Sequence, residues 1–339
     1  MESMTDPSTA SPAPSQLPYV HGPALRSALS PTAAVEALER ALREGLDPET
    51  DAPRTRVETA TGMLMQMPST RGEEVGTKLL TLTPENADAD LPVIQGVYVL
   101  FGGAEQAPRA VLNGIELTNL RTSSVSALGA RLAGAVPAGS SATGSSDTPG
   151  TTTAAAHLVL FGTGVQAWEH AVTFCDVLEV ERITVVGRSA EKAQALAARI
   201  TDELGVSAEA GDEEAVAEAG VVVTCTASTS PLFDGALVRD DAVVVAMGAH
   251  TPDTRELDDA LLARGQVVVE SRDSALREAG EVVLGMESGA VAERELVTFA
   301  DLATGRARRK AGVPAVVVTT GMPWQDLVVA SAVMDALEA

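Results

Sequence analysis

Four cationic or titratable side chains are the residues of this sequence best suited to chemistry. Lys78 stands in "VGTKLLTLTP", in a chain with only three lysines. Read with a period of two, it shares a side with Leu80 and Leu82. A lysine on the apolar face of a strand is costly unless an anion meets it. On the solvent side it would instead guard a sheet edge, and the pattern leaves both open. Arg121 lies in "TNLRTSSVSAL", in the first turn of a helix expected to begin at an N-capping Thr118. A helix N-terminus disfavours a cation unless an anion is shared with its N–H groups, and a carboxylate would serve. A surface ion pair is the plainer alternative. Arg56 opens a strand-like run and could be a third cationic arm. His250 follows "AVVVAMGA", at the mouth of what reads as a buried strand, where an imidazole could relay a proton near neutral pH.

A second group is built from backbone. "LVLFGTGVQAW" carries Gly162-x-Gly164-x-x-Ala167 between a strand and a helix. Gly162 permits the tight turn, Gly164 lets a pyrophosphate approach, and Ala167 keeps helix and strand close. Thr163, Val165 and Gln166 complete the turn and would border the same ligand. The next strand ends "VVGRSAEK", with Gly187 where an acid would read an NAD ribose. Arg188 and Ser189 follow, and an arginine there accommodates a 2′-phosphate, which points to NADPH over NAD.

These residues need elements to hold them. Residues 31–45 show helical spacing and end in Gly45. "RVETATGMLMQMP", "GTKLLTLTP" and "PVIQGVYVLF" read as strands of an antiparallel sheet, and Asn113-Gly114 as a hairpin turn. Met63, Met65 and Met67 alternate on one strand, a stripe that suits core packing more often than a pocket wall. Beyond residue 157 short aliphatic runs alternate with helical patterns. That is the texture of a parallel sheet covered on both faces, so the fold class is α/β with a Rossmann-type doubly wound sheet beside a strand-rich α+β layer. Residues 136–156 are almost wholly Gly, Ser, Thr, Ala and Pro, as in a flexible linker or insertion, and residues 1–17 read as a disordered tail.

Composition narrows the partners. A net charge of −23 would repel a nucleic-acid backbone, and the cluster at Arg306, Arg308, Arg309 and Lys310 is short. No apolar run reaches membrane-spanning length. Cys175 and Cys225 make neither a metal spacing nor a disulfide framework, no metal is expected, and no export signal is legible, which suits a reducing cytoplasm.

Taken together, "MPSTRGEEVGTKLLTLTPEN", "LPVIQGVYVLF", "LNGIELTNLRTSSVSAL", "LVLFGTGVQAW", "GAHTPDTRELD" and "TTGMPWQDL" resemble the ornithine cyclodeaminase/mu-crystallin family from about residue 30 onward. The resemblance implies a homodimer formed through a strand-rich domain of residues 18–135 plus 314–339, with a dinucleotide-binding domain at 157–313. It implies that Arg56, Lys78 and Arg121 hold a substrate carboxylate, and that Thr226, Ala227, Ser228, Met247 and Gly248 line the cofactor. Two positions depart from the cyclodeaminase pattern: His250 stands where an acid/base Asp is expected, and Arg188 with Ser189 stand where an NAD-reading acid is expected. Among the family's activities these departures favour NADPH-dependent reduction of a small cyclic ketimine carboxylate. Cyclodeamination of ornithine or lysine with bound NAD is the same-class rival, and non-catalytic ligand binding is the different-class one.

Overall fold

The alternating runs of the first half pair into one sheet in the computed structural model, which describes residues 17–89, 91–136 and 156–339. The tail and linker expected at 1–17 and 136–156 fall almost wholly outside these. Strands β1 (Tyr19–Val20), β2 (Thr55–Thr59), β3 (Gly62–Arg71), β4 (Glu74–Leu82), β5 (Ile94–Gly102) and β6 (Ala107–Asn113) lie in the order β1-β6-β5-β4-β3-β2. All neighbours are antiparallel except β1 and β6. Helices α1 (Gly22–Ala28), α2 (Pro31–Arg43) and α3 (Gly114–Leu132) accompany this sheet.

The second half forms an eight-stranded sheet in which every pairing is parallel. Its strands are β7 (His157–Phe161), β8 (Arg182–Val186), β9 (Ser207–Gly211), β10 (Val221–Thr224), β11 (Val243–Ala246), β12 (Gln266–Val269), β13 (Val297–Thr298) and β14 (Ala315–Val318), ordered β13-β12-β14-β11-β10-β7-β8-β9. Helices α4 (Val165–Val177), α5 (Ala190–Leu204), α6 (Asp259–Arg264), α7 (Arg272–Glu278), α8 (Gly280–Ser288) and α9 (Phe299–Ala303) cover it, and α10 (Pro323–Glu338) follows β14. Leu158 and Leu160 enter one core while Val159 and Phe161 enter the other, as a sheet covered on both faces requires. The first of these cores continues into the six-stranded layer through Leu100, Leu112, Leu128 and Val329. No helix among the described residues is long and apolar enough to cross a membrane.

Three expectations need correction. Asn113-Gly114 does not close a hairpin. Asn113 ends β6 with φ −60°, outside the positive φ that a type I′ turn demands, and its side-chain oxygen accepts from the backbone N–H groups of Ile115 and Glu116. A Cβ on Gly114 would meet the Gly96 carbonyl carbon at 2.7 Å, so the glycine serves close approach. The helix therefore starts a turn before Thr118, whose hydroxyl donates back to the Gly114 carbonyl at 2.7 Å. Finally, the boundary at 314 is misplaced: β14, four buried aliphatic residues, sits inside the parallel sheet between β11 and β12, and only α10 returns to pack on β3 and β4.

Candidate active site

Two hollows flank the carboxyl end of β7, where neighbouring connections leave in opposite directions and open α/β sheets bind ligands. The larger, about 610 Å³, is lined by Gly162, Thr163 and Gly164 after β7, by Arg188, Ser189 and Lys192 after β8, and by Thr226 and Ala227 after β10. Gly162 has φ +119°, and a Cβ there would come within 2.6 Å of the Cys225 carbonyl oxygen. Around Gly164 a Cβ would meet nothing within 4 Å. No side chain caps α4, so its first N–H groups face the open space a pyrophosphate would fill. A dinucleotide therefore fits this cleft. Arg188 and Lys192 are exposed, and Ser189 caps α5 by accepting from the Lys192 N–H. Lys192 was not singled out in the sequence, although it is one of only three lysines and stands four residues after Arg188.

The strand ends under this cleft are tied by a buried carboxylate. Glu256 accepts from the Thr226 N–H and hydroxyl at 2.8 and 2.6 Å, the Thr224 hydroxyl at 2.7 Å and the Gly248 N–H at 2.8 Å. Its own N–H donates to Glu281, whose carboxyl is pushed up to about 7 by burial, with the Glu256 charge adding to the effect. Of the remaining sequence candidates, Ser228 folds back on Thr226 and Val165 stands exposed; neither lines a hollow. Met247 and Gln166 line the second hollow instead.

That second hollow, about 270 Å³, has an ionic floor and an apolar wall. Lys78 lies on the buried face of central strand β4, 1% exposed. Its ammonium donates to both Asp326 oxygens, at 2.8 and 3.1 Å, and to the Thr118 hydroxyl at 3.3 Å. Arg121 Nε donates to the same Asp326 at 3.2 Å. Two cations thus share one carboxylate, leaving an excess positive charge. Burial, then the Arg121 charge, pull the Lys78 ammonium down to about 8, and Asp326 partly restores it. Gly321 has φ +75°, and a Cβ there would meet Arg121 Nη1 at 2.4 Å. Glu270 accepts from the Thr320 and Gly321 N–H groups and from the Gln325 amide, which fixes the loop entering α10.

Arg56 does not join this floor. It lies on edge strand β2, which is exposed throughout, outside the lining. Arg54, two residues earlier, takes the place: it lines the cavity, pairs with Glu278 at 2.9 Å and donates to the Gly321 carbonyl at 2.7 Å. A period-two reading cannot separate the two arginines, since they share parity. Asp326 did carry a signal, an acid within a helix buried along most of its length. Met65, Met67, Leu80, Leu82, Ile94 and Val125 form the wall, so the methionine stripe borders the cavity. His250 stands exposed at the rim, its Nδ1 donating to the Gly248 carbonyl at 2.9 Å, which leaves Nε2 as the basic nitrogen. No group of residues that could hold a metal ion occurs among the described residues.

Comparison with known proteins accords with this geometry. The model of the ornithine cyclodeaminase/mu-crystallin family matches residues 25–141 and 151–339. Ketimine reductase mu-crystallin of Mus musculus is 31% identical over 277 residues, which cover 81% of this chain and 80% of that protein. Delta(1)-pyrroline-2-carboxylate reductase of Paracoccus denitrificans is 31% identical over 238 residues, 69% of this chain and 70% of that one. Among solved structures, the Thermococcus litoralis Delta(1)-pyrroline-2-carboxylate reductase, in complex with NADH and L-proline, has the same fold with a TM-score of 0.82 at 23% identity, over 95% of this chain and 98% of that one. A probable ornithine cyclodeaminase from Bordetella pertussis reaches 0.81 at 29% identity, over 95% and 97%.

Proposed function

The chain belongs to the ornithine cyclodeaminase/mu-crystallin family, and from that premise we propose that it is an NADPH-dependent reductase of a small cyclic ketimine carboxylate, of the pyrroline-2-carboxylate or piperideine-2-carboxylate type. The carrying observation is the ammonium of Lys78, buried beside Arg121 on a single shared Asp326, in a cavity next to the glycine turn. A substrate carboxylate neutralises the excess charge of that cluster, with Arg54 and Arg121 as its guanidinium partners. Arg56, exposed at the sheet edge, is replaced by Arg54 in this role.

A reduced nicotinamide held on the glycine turn would supply the hydride for the imine carbon. Lys78, charged at neutral pH, donates a proton to the imine nitrogen and so keeps the carbon electrophilic. Asp326 holds the ammonium at its station and stabilises it in charged form. His250 at the rim relays protons between solvent and the cavity. For a 2′-phosphate, Arg188 and Lys192 would supply charge and Ser189 a hydroxyl. Thr226, held by Glu256, and Ala227 would border the nicotinamide side of the cleft, with Gly248 tied behind them by the same carboxylate.

The assembly we infer is a homodimer. Val57, Leu64, Leu79, Val97 and Val99 lie on the face of the six-stranded sheet opposite Lys78, with Val57 59% and Leu64 38% exposed. The two cysteines, both free, suit the cytoplasm. The test is a panel assay with purified protein: both cyclic imines and ornithine, each with NADH and with NADPH. Oxidation of NADPH by a cyclic imine is expected. No oxidation with either imine overturns the reading, and ammonia released from ornithine without added reductant would install the cyclodeaminase.

A further inference from the structure

Residues 47–54 cross from the loop after α2 to β2, and little packing holds them. Pro48 is their one buried residue, while Ala52 and Pro53 are exposed. A cavity of about 490 Å³ lies on one side, against residues 68–72 and Trp324, and one of about 150 Å³ on the other, against α7. Charged side chains fasten the segment instead. Glu49 accepts from the Ser271 hydroxyl and Arg272 N–H, both at 2.7 Å, and from the Asp273 N–H at 3.1 Å, so it caps α7 from outside. Asp51 accepts from the Trp324 N–H at 2.7 Å, in the first turn of α10. Arg54 closes the set on Glu278 and the Gly321 carbonyl.

One short stretch thus caps two helices. One of them, α7, belongs to the parallel-sheet layer; the other, α10, covers the six-stranded sheet and carries Asp326 two residues beyond the capped N–H. Both bonds place a carboxylate on the positive end of a helix, where a charge-assisted contact is strong and its loss is felt. Burial pushes the Asp51 carboxyl up to about 6, while its bonds to Ser69 and to the Trp324 N–H work to keep it ionised.

We propose that residues 47–54 are a strap that fastens the two layers at the cavity and sets Arg54 in it, with Glu49 and Asp51 as positioning residues that touch no substrate. The strap is thin and polar, so it governs Arg54 without contributing to the core. The effect on substrate rests on the function proposed above; the fastening itself does not.

The experiment uses the full chain with Glu49→Ala and Asp51→Ala, each alone and in an Arg54→Met background. Two readouts are taken: KM and kcat for the cyclic imine, and hydrogen exchange at the amides of Arg272, Asp273 and Trp324. Each single variant should raise KM roughly tenfold with kcat at saturation changed by less than about threefold, and should speed exchange at the amides it uncaps. In the Arg54→Met background the same changes should move KM by less than about twofold, since the residue they place is gone. Full additivity in that background, or unchanged exchange at the capped amides, overturns the strap. Exchange needs no turnover, so a wild-type protein that reduces neither imine sinks the proposed function while the fastening is still judged by exchange.

Discussion

The cavity and the cleft solve the problem of placing charge in opposite ways. In the cavity, Lys78, Arg121 and Asp326 are buried and bonded to one another across sequence separations of 248 and 205 residues. In the cleft, Arg188 and Lys192 are exposed, four residues apart, beside a glycine turn whose N–H groups belong to the backbone. A buried ion cluster is strong only while every member is present, because removing one strands the others in a medium that solvates charge poorly. Exposed cations beside a backbone cradle act almost independently. The cavity should therefore respond to substitution as a unit, and the cleft residue by residue.

The largest effect expected is that of Lys78→Met. Losing the proposed proton donor should lower kcat by roughly 10²–10⁴-fold, measured by NADPH oxidation with a saturating cyclic imine; a kcat within about threefold of wild type would remove Lys78 from the chemistry. Asp326→Asn comes next and tests cooperation directly. It leaves two buried cations without their carboxylate and should cost about 3–5 kcal/mol of unfolding free energy by denaturant titration. It should also shift the pH profile in a defined direction. The proposed proton transfer needs charged Lys78, so kcat/KM should fall as pH rises through about 8. Asp326 raises the lysine's affinity for its proton, so its loss should move that limb to lower pH. A limb that stays put would show the two groups to be uncoupled.

In the cleft, Arg188→Ala should cut kcat/KM for NADPH by about 10–100-fold, the worth of one or two charge-assisted bonds, and leave NADH nearly untouched. Equal losses with both cofactors would refute a 2′-phosphate contact. The smallest effect belongs to His250→Ala, at an exposed position between the two regions. It should lower kcat by less than about tenfold with little change in KM, because solvent can replace a relay at the rim. Unchanged kcat would make His250 a loop residue.

The same contrast explains what could be read from sequence. The cleft was legible because its parts are local: a strand, a glycine turn, a helix, and an arginine at a fixed offset. Lys78 was legible only as a question, since its period put it on the apolar side but its anion lies 248 residues away on α10. Arg54 was hidden by Arg56, which shares its parity and differs only in lying inside the edge strand. Asn113-Gly114 misled because the same pair that turns a hairpin also caps a helix, and the helical spacing of residues 115–132 decides between them. β14 was misassigned because a buried aliphatic strand carries no mark of which sheet receives it.

That strand has a consequence for how the protein comes into being. β14 lies between β11 and β12, so the parallel sheet has a gap at its middle until residue 318 has been synthesised. The six-stranded layer likewise lacks α10, which covers β3 and β4, until residues 323–338 are made. Neither half can finish folding ahead of the other as the chain leaves the ribosome. Loss of α10 should therefore expose apolar surface in the first layer as well as remove Asp326, and chains truncated before it should aggregate rather than leave a folded parallel-sheet half.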